Sequence, residues 1–393
     1  MTAPARPGRE GVTAPAGFAA AGVAAGLKSS GKPDVALVLN RGPRFDAAAV
    51  FTTNRVFAAP VGWSRAATAD RQLVAVVLNS GGANACTGEG GREDAARMAS
   101  VTSQQLGCLP LDVAVCSTGL IGARLPMGRV EPGIVAAAAA LDERSGPAAA
   151  EAIMTTDTRP KTAARRGAGG YTVGGMAKGA GMLAPGLATM LVVLTTDAEV
   201  DPDDLEHALR HAVRVTFDRT DSDGCMSTND TVLLMANGAS GVRPPLGELV
   251  ATLTELCADL ARQLIADAEG AEHEVAVEVV GAASEDDALE VARAVARSNL
   301  FKCAIAGNDP NWGRVVAAVG TTQAAFQPEE LDVFFNGVGV YVQGAIGADR
   351  SAVDLAPREV HVRIDLHAGT EAATIWTNDL THGYVSENAD YPT

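Results

Sequence analysis

The stretch "KGAGMLAPGLATMLVVLTTD", residues 178–197, decides how this chain is read. Its first half is rich in glycine. Its second half, 190–194, is a continuous apolar run of the kind that forms a strand covered on both faces. One hydroxyl, Thr189, stands where the two meet, directly after Ala188. Two readings compete. A flexible linker between two lobes explains the glycines and Pro185, but it has no use for a β-branched hydroxyl at the start of a core strand. An N-terminal nucleophile uses every feature. The Thr189 hydroxyl attacks the carbonyl of Ala188, an ester forms by N-to-O shift, and water cuts it. Thr189 then owns a nucleophilic hydroxyl and a free α-amine. That amine has a reference pKa of about 7.7–8.0, so it can serve as a general base without a histidine.

Composition narrows the function classes. The chain has 393 residues, enough for two or more lobes. Apolar residues make up 47% and aromatics only 4%, so Ala, Val and Gly must fill the interior of a closely packed layered α/β protein. The formal charge is −16. Nucleic acids and anionic membranes are bound through basic patches, so neither is an expected partner. No apolar run approaches the length of a membrane span. The first ten residues, "MTAPARPGRE", have no hydrophobic region behind them and read as a tail, not a signal peptide. The six cysteines include no CxxC pair and read as thiols of a reducing cytoplasm. His207 and His211 share a helical i, i+4 spacing, but Glu206 lies beside them and not between them, so a solvated helix face is expected and no metal.

Strand-like runs fall at 35–39, 73–78, 112–116, 190–195, 231–236, 274–280, 315–320, 340–344, 360–366 and 373–377. Helical patterns lie between them. Asp201 and Pro202 open one, Ser284 caps another, and Leu249, Leu253, Leu256, Leu260 and Leu264 stripe a third. Neither a GxGxxG after the first strand nor a Walker A motif is present, so nucleotide-binding folds have little support.

The block "KGAGMLAPGLATML" resembles the self-cleavage motif of the ornithine acetyltransferase (glutamate N-acetyltransferase) family of arginine biosynthesis. Further blocks resemble that family in order: "NSGGANACTG" (79–88), "CSTGLIG" (116–122), "AIMTTD" (152–157), "STNDT" (227–231), "DAEGA" (267–271), "GNDPNWGR" (307–314) and "LTHGYVSENADY" (380–391). The resemblance runs from about residue 11 to the end. It departs at Cys225 and Met226, where family members often carry acidic or hydroxyl residues.

The resemblance implies an α/β fold with layered sheets and helices, of the self-processing aminopeptidase and ornithine acetyltransferase type. It implies cleavage between Ala188 and Thr189 into an α chain (1–188) and an interlocked β chain (189–393), assembled as an α2β2 heterotetramer or larger. The implied reaction is ping-pong transfer of acetyl from N-acetylornithine to glutamate through acetyl-Thr189. Acetyl-CoA as a further donor is left open. Thr118 and Gly119 would form the oxyanion hole. Thr155, Lys178, Glu269, Asn388 and Thr393 would bind substrate together with Thr189, Lys178 as a cation and Glu269 as an anion. No cofactor is implied, and the role of 307–314 stays open. Two rivals remain: an N-terminal-nucleophile aminopeptidase or amidase, in which water replaces glutamate, and an uncleaved two-lobe binding protein with a linker at 165–189.

Overall fold

The structure, a computed structural model, describes residues 8–184 and 190–389. Ala188, Thr189 and Thr393 lie outside the described residues. The chain divides into two compact units. The first comprises residues 1–218 and 225–264, the second 219–224 and 265–393.

In the first unit the strands Asp46–Phe51, Thr231–Ala236, Leu191–Thr196, Thr172–Lys178 and Lys161–Arg166 form one sheet in that spatial order. Phe18–Val23, Val35–Asn40, Ala75–Asn79 and Val113–Ser117 form a second. One shared core joins them, with Phe18, Ala36, Val38, Val76 and Leu78 packed with Met176, Leu191, Val193, Leu233 and Met235. Leu191–Thr196 is buried at every position, as its continuous apolar sequence requires. Helices cover the outer faces. Gly88–Leu106 and Met127–Ala139 pack on the four-stranded sheet through Met98, Val130 and Ile134. The leucine stripe of Leu246–Ala266 is wholly buried, and each such side chain contributes about 1.5–3 kcal/mol of transfer free energy.

The linker reading of 165–189 fails for its described part. Residues 161–178 form a hairpin in which two glycines are packing requirements. A Cβ at Gly174 would stand 2.0 Å from the Gly11 carbonyl oxygen, and one at Gly175 would stand 2.7 Å from Leu194 Cδ2. Glycine lets the layers approach closely.

The second unit holds a six-stranded sheet in the order Ala345–Ile346, Val338–Val342, Asp332–Phe335, Glu359–Asp365, Glu274–Ala282 and Glu371–Asn378. Helices Glu285–Ala296, Asn299–Ala306 and Trp312–Val319 pack on it through Val291, Val295, Ile305, Val315 and Val319. Ser284 caps the first of these as expected, its hydroxyl accepting from the Asp287 amide at 3.1 Å. The expected strand at 315–320 is instead helix. A short apolar run has no period of its own, and the Asn311 side chain caps the turn by accepting from the Arg314 amide at 3.2 Å. Among the described residues, no helix is long and apolar enough to cross a membrane.

Candidate active site

The Val113–Ser117 strand ends at the turn carrying Thr118 and Gly119. The Thr118 amide donates to the Asn79 carbonyl at 3.0 Å, and its carbonyl accepts from the Gly82 amide at 3.0 Å. Gly119 has φ +130°, and a Cβ there would lie 2.8 Å from the Gly82 nitrogen. Only glycine fits that close approach. Below the turn, the Asn229 amide donates to the carbonyls of Ala83 at 2.6 Å and Ser117 at 2.8 Å. One buried side chain therefore fixes both walls of the turn.

Lys178, the last residue of Thr172–Lys178, is 2% exposed. Its ammonium donates to the hydroxyls of Thr155 at 2.7 Å and Thr118 at 3.3 Å. Ammonium groups only donate, so the Thr118 oxygen accepts here and its own hydrogen points elsewhere. Charge balance comes from Asp157, whose Oδ2 lies 4.0 Å from Lys178 Nζ and whose Oδ1 lies 2.6 Å from Lys161 Nζ. Asp157 also accepts from the amides of Gly179 at 2.7 Å and Thr155 at 3.0 Å. Burial alone would raise the Asp157 pKa. The two ammoniums and the Gly179 amide outweigh it and hold the carboxyl at about 2. This aspartate thus organises Thr155, Lys178 and the chain after Lys178.

The strand register brings the start of Leu191–Thr196 to the same end of the sheet. Lys178 lies opposite Leu191, and Leu191 opposite Thr231. The Met190 amide, covalently next to Thr189, donates to Asp230 Oδ1 at 3.0 Å.

In the second unit, Glu269 Oε2 accepts from Asn388 Nδ2 at 2.9 Å. Asn388 belongs to the terminal helix His382–Ala389. Thr381 donates to the Gly270 carbonyl at 2.6 Å. Gly270 has φ +63°, and a Cβ there would stand 2.1 Å from the Tyr384 nitrogen, so the helix docks on the glycine. The 307–314 block forms the corner between two helices, with Trp312 stacked on Tyr341 at 4.9 Å. Cys225 is exposed, and the Met226 carbonyl accepts from Asn54 Nδ2 at 3.1 Å, so backbone polarity serves at the departing turn.

Thr118, Thr155 and Lys178 therefore converge in the first unit, and Glu269 and Asn388 meet in the second. Among the described residues, no group of three or more His, Cys, Asp or Glu side chains is arranged to hold a metal ion.

Comparison with known proteins gives this geometry its context. A model described as the ArgJ family matches residues 19–393. The chain belongs to the ArgJ family. An arginine biosynthesis bifunctional protein ArgJ from Streptomyces avermitilis is 60% identical over 380 residues, covering 97% of this chain and 99% of its own. Its counterpart from Thermobifida fusca is 60% identical over 382 residues, covering 97% and 100%. A crystal structure of ornithine acetyltransferase complexed with ornithine, from Mycobacterium tuberculosis, shares 52% identity over 45% of this chain and 95% of that one, with a TM-score of 0.44.

For this ArgJ-family chain, sequence reasoning missed Asp157, Lys161, Asn229 and Asp230 as parts of the site. Three of them sit inside the quoted blocks "AIMTTD" and "STNDT". Lys161 had no such signal, because a lysine on a hairpin normally reads as solvated surface.

Proposed function

We propose that this chain is an ornithine acetyltransferase of arginine biosynthesis, transferring acetyl from N-acetylornithine to glutamate through acetyl-Thr189. The observation that supports it most is the convergence of Thr118, Thr155 and Lys178 at the sheet end where the Leu191–Thr196 strand begins, in a chain whose family membership spans residues 19–393.

The reaction starts from the freed Thr189. Its α-amine takes the hydroxyl proton, and Oγ attacks the acetyl carbonyl. Charge builds on the acetyl oxygen, where the Thr118 hydroxyl and the Gly119 amide donate. A donor aimed at a developing oxyanion is commonly worth about 3–4 kcal/mol. Because Lys178 donates to Thr118 Oγ1, the ammonium polarises that hydroxyl and leaves its hydrogen for the oxyanion. Ornithine leaves with the proton held on the amine, and glutamate takes the acetyl group by the same steps in reverse. Amide energy passes to ester and back to amide, so the cycle is thermally balanced. Lys178 and Thr155 attract the α-carboxylate that both substrates carry. Glu269 pairs with the ornithine amine, while Asn388 and Thr393 contact the amino-acid backbone.

Cleavage before Thr189 gives chains 1–188 and 189–393 that stay together. Leu191–Thr196 is hydrogen-bonded between Thr172–Lys178 on one side and Thr231–Ala236 on the other, which supports interlocked chains. N-terminal sequencing should find a chain starting at Thr189, and Thr189→Ala should abolish both the split and N-acetylglutamate formation in a folded protein. An alanine variant that still transfers acetyl would remove the nucleophile. Acetyl-CoA is tested as a donor in the same assay, with N-acetylornithine omitted.

A further inference from the structure

We propose that Lys28 selects the acetyl acceptor, its ammonium pairing with the side-chain carboxylate that glutamate carries and N-acetylornithine lacks. This rests on the reading of the site as one that transfers acetyl to glutamate.

Lys28 lies on the loop between the strands Phe18–Val23 and Val35–Asn40. Asp34, at the far end of that loop, fixes its shape. The Asp34 carboxylate is completely buried and accepts from the amides of Ala25 at 2.6 Å, Leu27 at 2.5 Å and Lys28 at 3.1 Å. The Arg129 guanidinium holds the Gly26 carbonyl at 2.6 Å. The loop in turn packs on the wall of the Thr118 turn. The Ser80 amide donates to the Asp34 carbonyl at 2.9 Å, and a Cβ at Gly81 would stand 2.2 Å from Leu27 Cβ. Gly82, next in the chain, donates its amide to the Thr118 carbonyl at 3.0 Å. Lys28 is thereby anchored beside the Thr118 turn, near enough to Asp157 and Lys178 to feel both charges.

Its partners set it apart from the other lysines of this cluster. Lys161 has the Asp157 carboxylate at 2.6 Å, and Lys178 has the hydroxyls of Thr155 and Thr118. Lys28 donates to the Pro33 carbonyl at 2.7 Å and, among the described residues, to no carboxylate. An ammonium has three donors, so two remain. Neither nearby carboxylate is available to it. Asp157 is shared by Lys161 and Lys178, and Asp34 is engaged by three amides. The side chain is half-buried. Burial lowers its pKa to about 8 against the pull of Asp34 and Asp157, and the charges of Lys178 and Lys32 add to the lowering. A partly desolvated ammonium with donors to spare gains most from an arriving carboxylate.

The two substrates differ in what they bring. Both carry an α-carboxylate, for which Lys178 and Thr155 serve in the proposed reaction. Glutamate brings a second carboxylate on its side chain. N-acetylornithine ends in an ammonium, to which another lysine offers nothing. Lys28 therefore acts on the second half-reaction and leaves the first alone.

The test measures the half-reactions separately on the purified full-length enzyme, with glutamate and with glutamine as acceptor. Glutamine has the same shape and no side-chain charge. Lys28→Met keeps the length of the side chain and removes its charge. It should raise KM for glutamate at least about tenfold, the low end for a hydrogen bond to a charged group, and lower the preference for glutamate over glutamine by the same factor. Acetyl-Thr189 formation from N-acetylornithine should keep its wild-type rate. Lys28→Arg, which keeps the charge, should keep the preference that the Met variant loses. A merely structural lysine would not move the glutamate-to-glutamine ratio. The proposal is overturned if that ratio is unchanged in Lys28→Met, if both half-reactions lose equally, or if the wild-type enzyme uses glutamine as well as glutamate. Should the Met chain fail to fold by circular dichroism, Lys28→Gln decides by the same ratio. A wild-type enzyme that acetylates neither acceptor fails the acetyltransferase reading and the proposal with it, whereas wild-type transfer with an unaltered ratio in the variant fails the proposal alone.

Discussion

The Asp157 cluster of the first unit and the Glu269 turn of the second are held in contrasting ways. The side chains of Asp157, Lys161 and Lys178 are 0%, 0% and 2% exposed, and hydrogen bonds from Thr155 and Gly179 converge on the carboxylate. Glu269 meets Asn388 on a short terminal helix that has no buried residue. The first arrangement is preset by the core, since charges out of water must keep every partner. The second is a docked element that a modest free energy can move. Oxyanion donors act best when fixed before the reaction, whereas substrates must enter and leave.

Removing the Asp157 carboxylate tests the contrast most severely. Asp157→Ala removes the carboxylate that two buried ammoniums share, and breaking a buried pair this way costs about 3–5 kcal/mol. The thermal midpoint of the purified protein should fall by about 10 °C, at the 2–4 °C per kcal/mol usual for folded units of this size. A loss below about 1 kcal/mol would mean that water reaches the lysines and that the two regions do not differ in kind.

Acid titration examines the same group without mutation. The folded pKa of Asp157, at about 2, lies below its unfolded value near 4. Its stabilisation is therefore fully present above about pH 4 and is lost as pH falls through about 2. The amount is on the order of 2 kcal/mol by linkage. Urea midpoints across pH 4 to 2 should drop less steeply in Asp157→Asn than in wild type. Parallel curves would assign the acid sensitivity to other carboxyls.

The smallest expected change sharpens the other side. Asn388→Ala removes the donor to Glu269 but leaves the core untouched. Stability should stay within about 1 kcal/mol, the worth of one ordinary hydrogen bond. The value of kcat/KM for N-acetylornithine should nevertheless fall about tenfold, about 1.4 kcal/mol in binding terms. Equal losses in stability and turnover would show that the terminal helix is part of the scaffold.

How much was legible follows from the range of the forces involved. The core strand after Thr189, the leucine stripe of Leu246–Ala266 and the Ser284 cap were readable because their signals lie within a few residues. The 315–320 run was misread because apolar content alone does not choose between strand and helix; a side-chain cap at Asn311 chose. The glycines of 165–184 looked like a linker because sequence shows their freedom and not the neighbour that excludes a side chain. Gly174 packs on the Gly11 carbonyl, far away in the chain.

The sequence by itself determined the layered α/β class and, through its ordered blocks, the family. Tertiary structure alone decided that Asp157 neutralises two lysines, that Asn229 ties the Ala83 and Ser117 walls of one turn, and that Asp230 reaches the amide beside Thr189. The physical reason is desolvation. A charged or amide side chain reads as surface until the fold removes its water, and only then do a few long-range partners fix what it does.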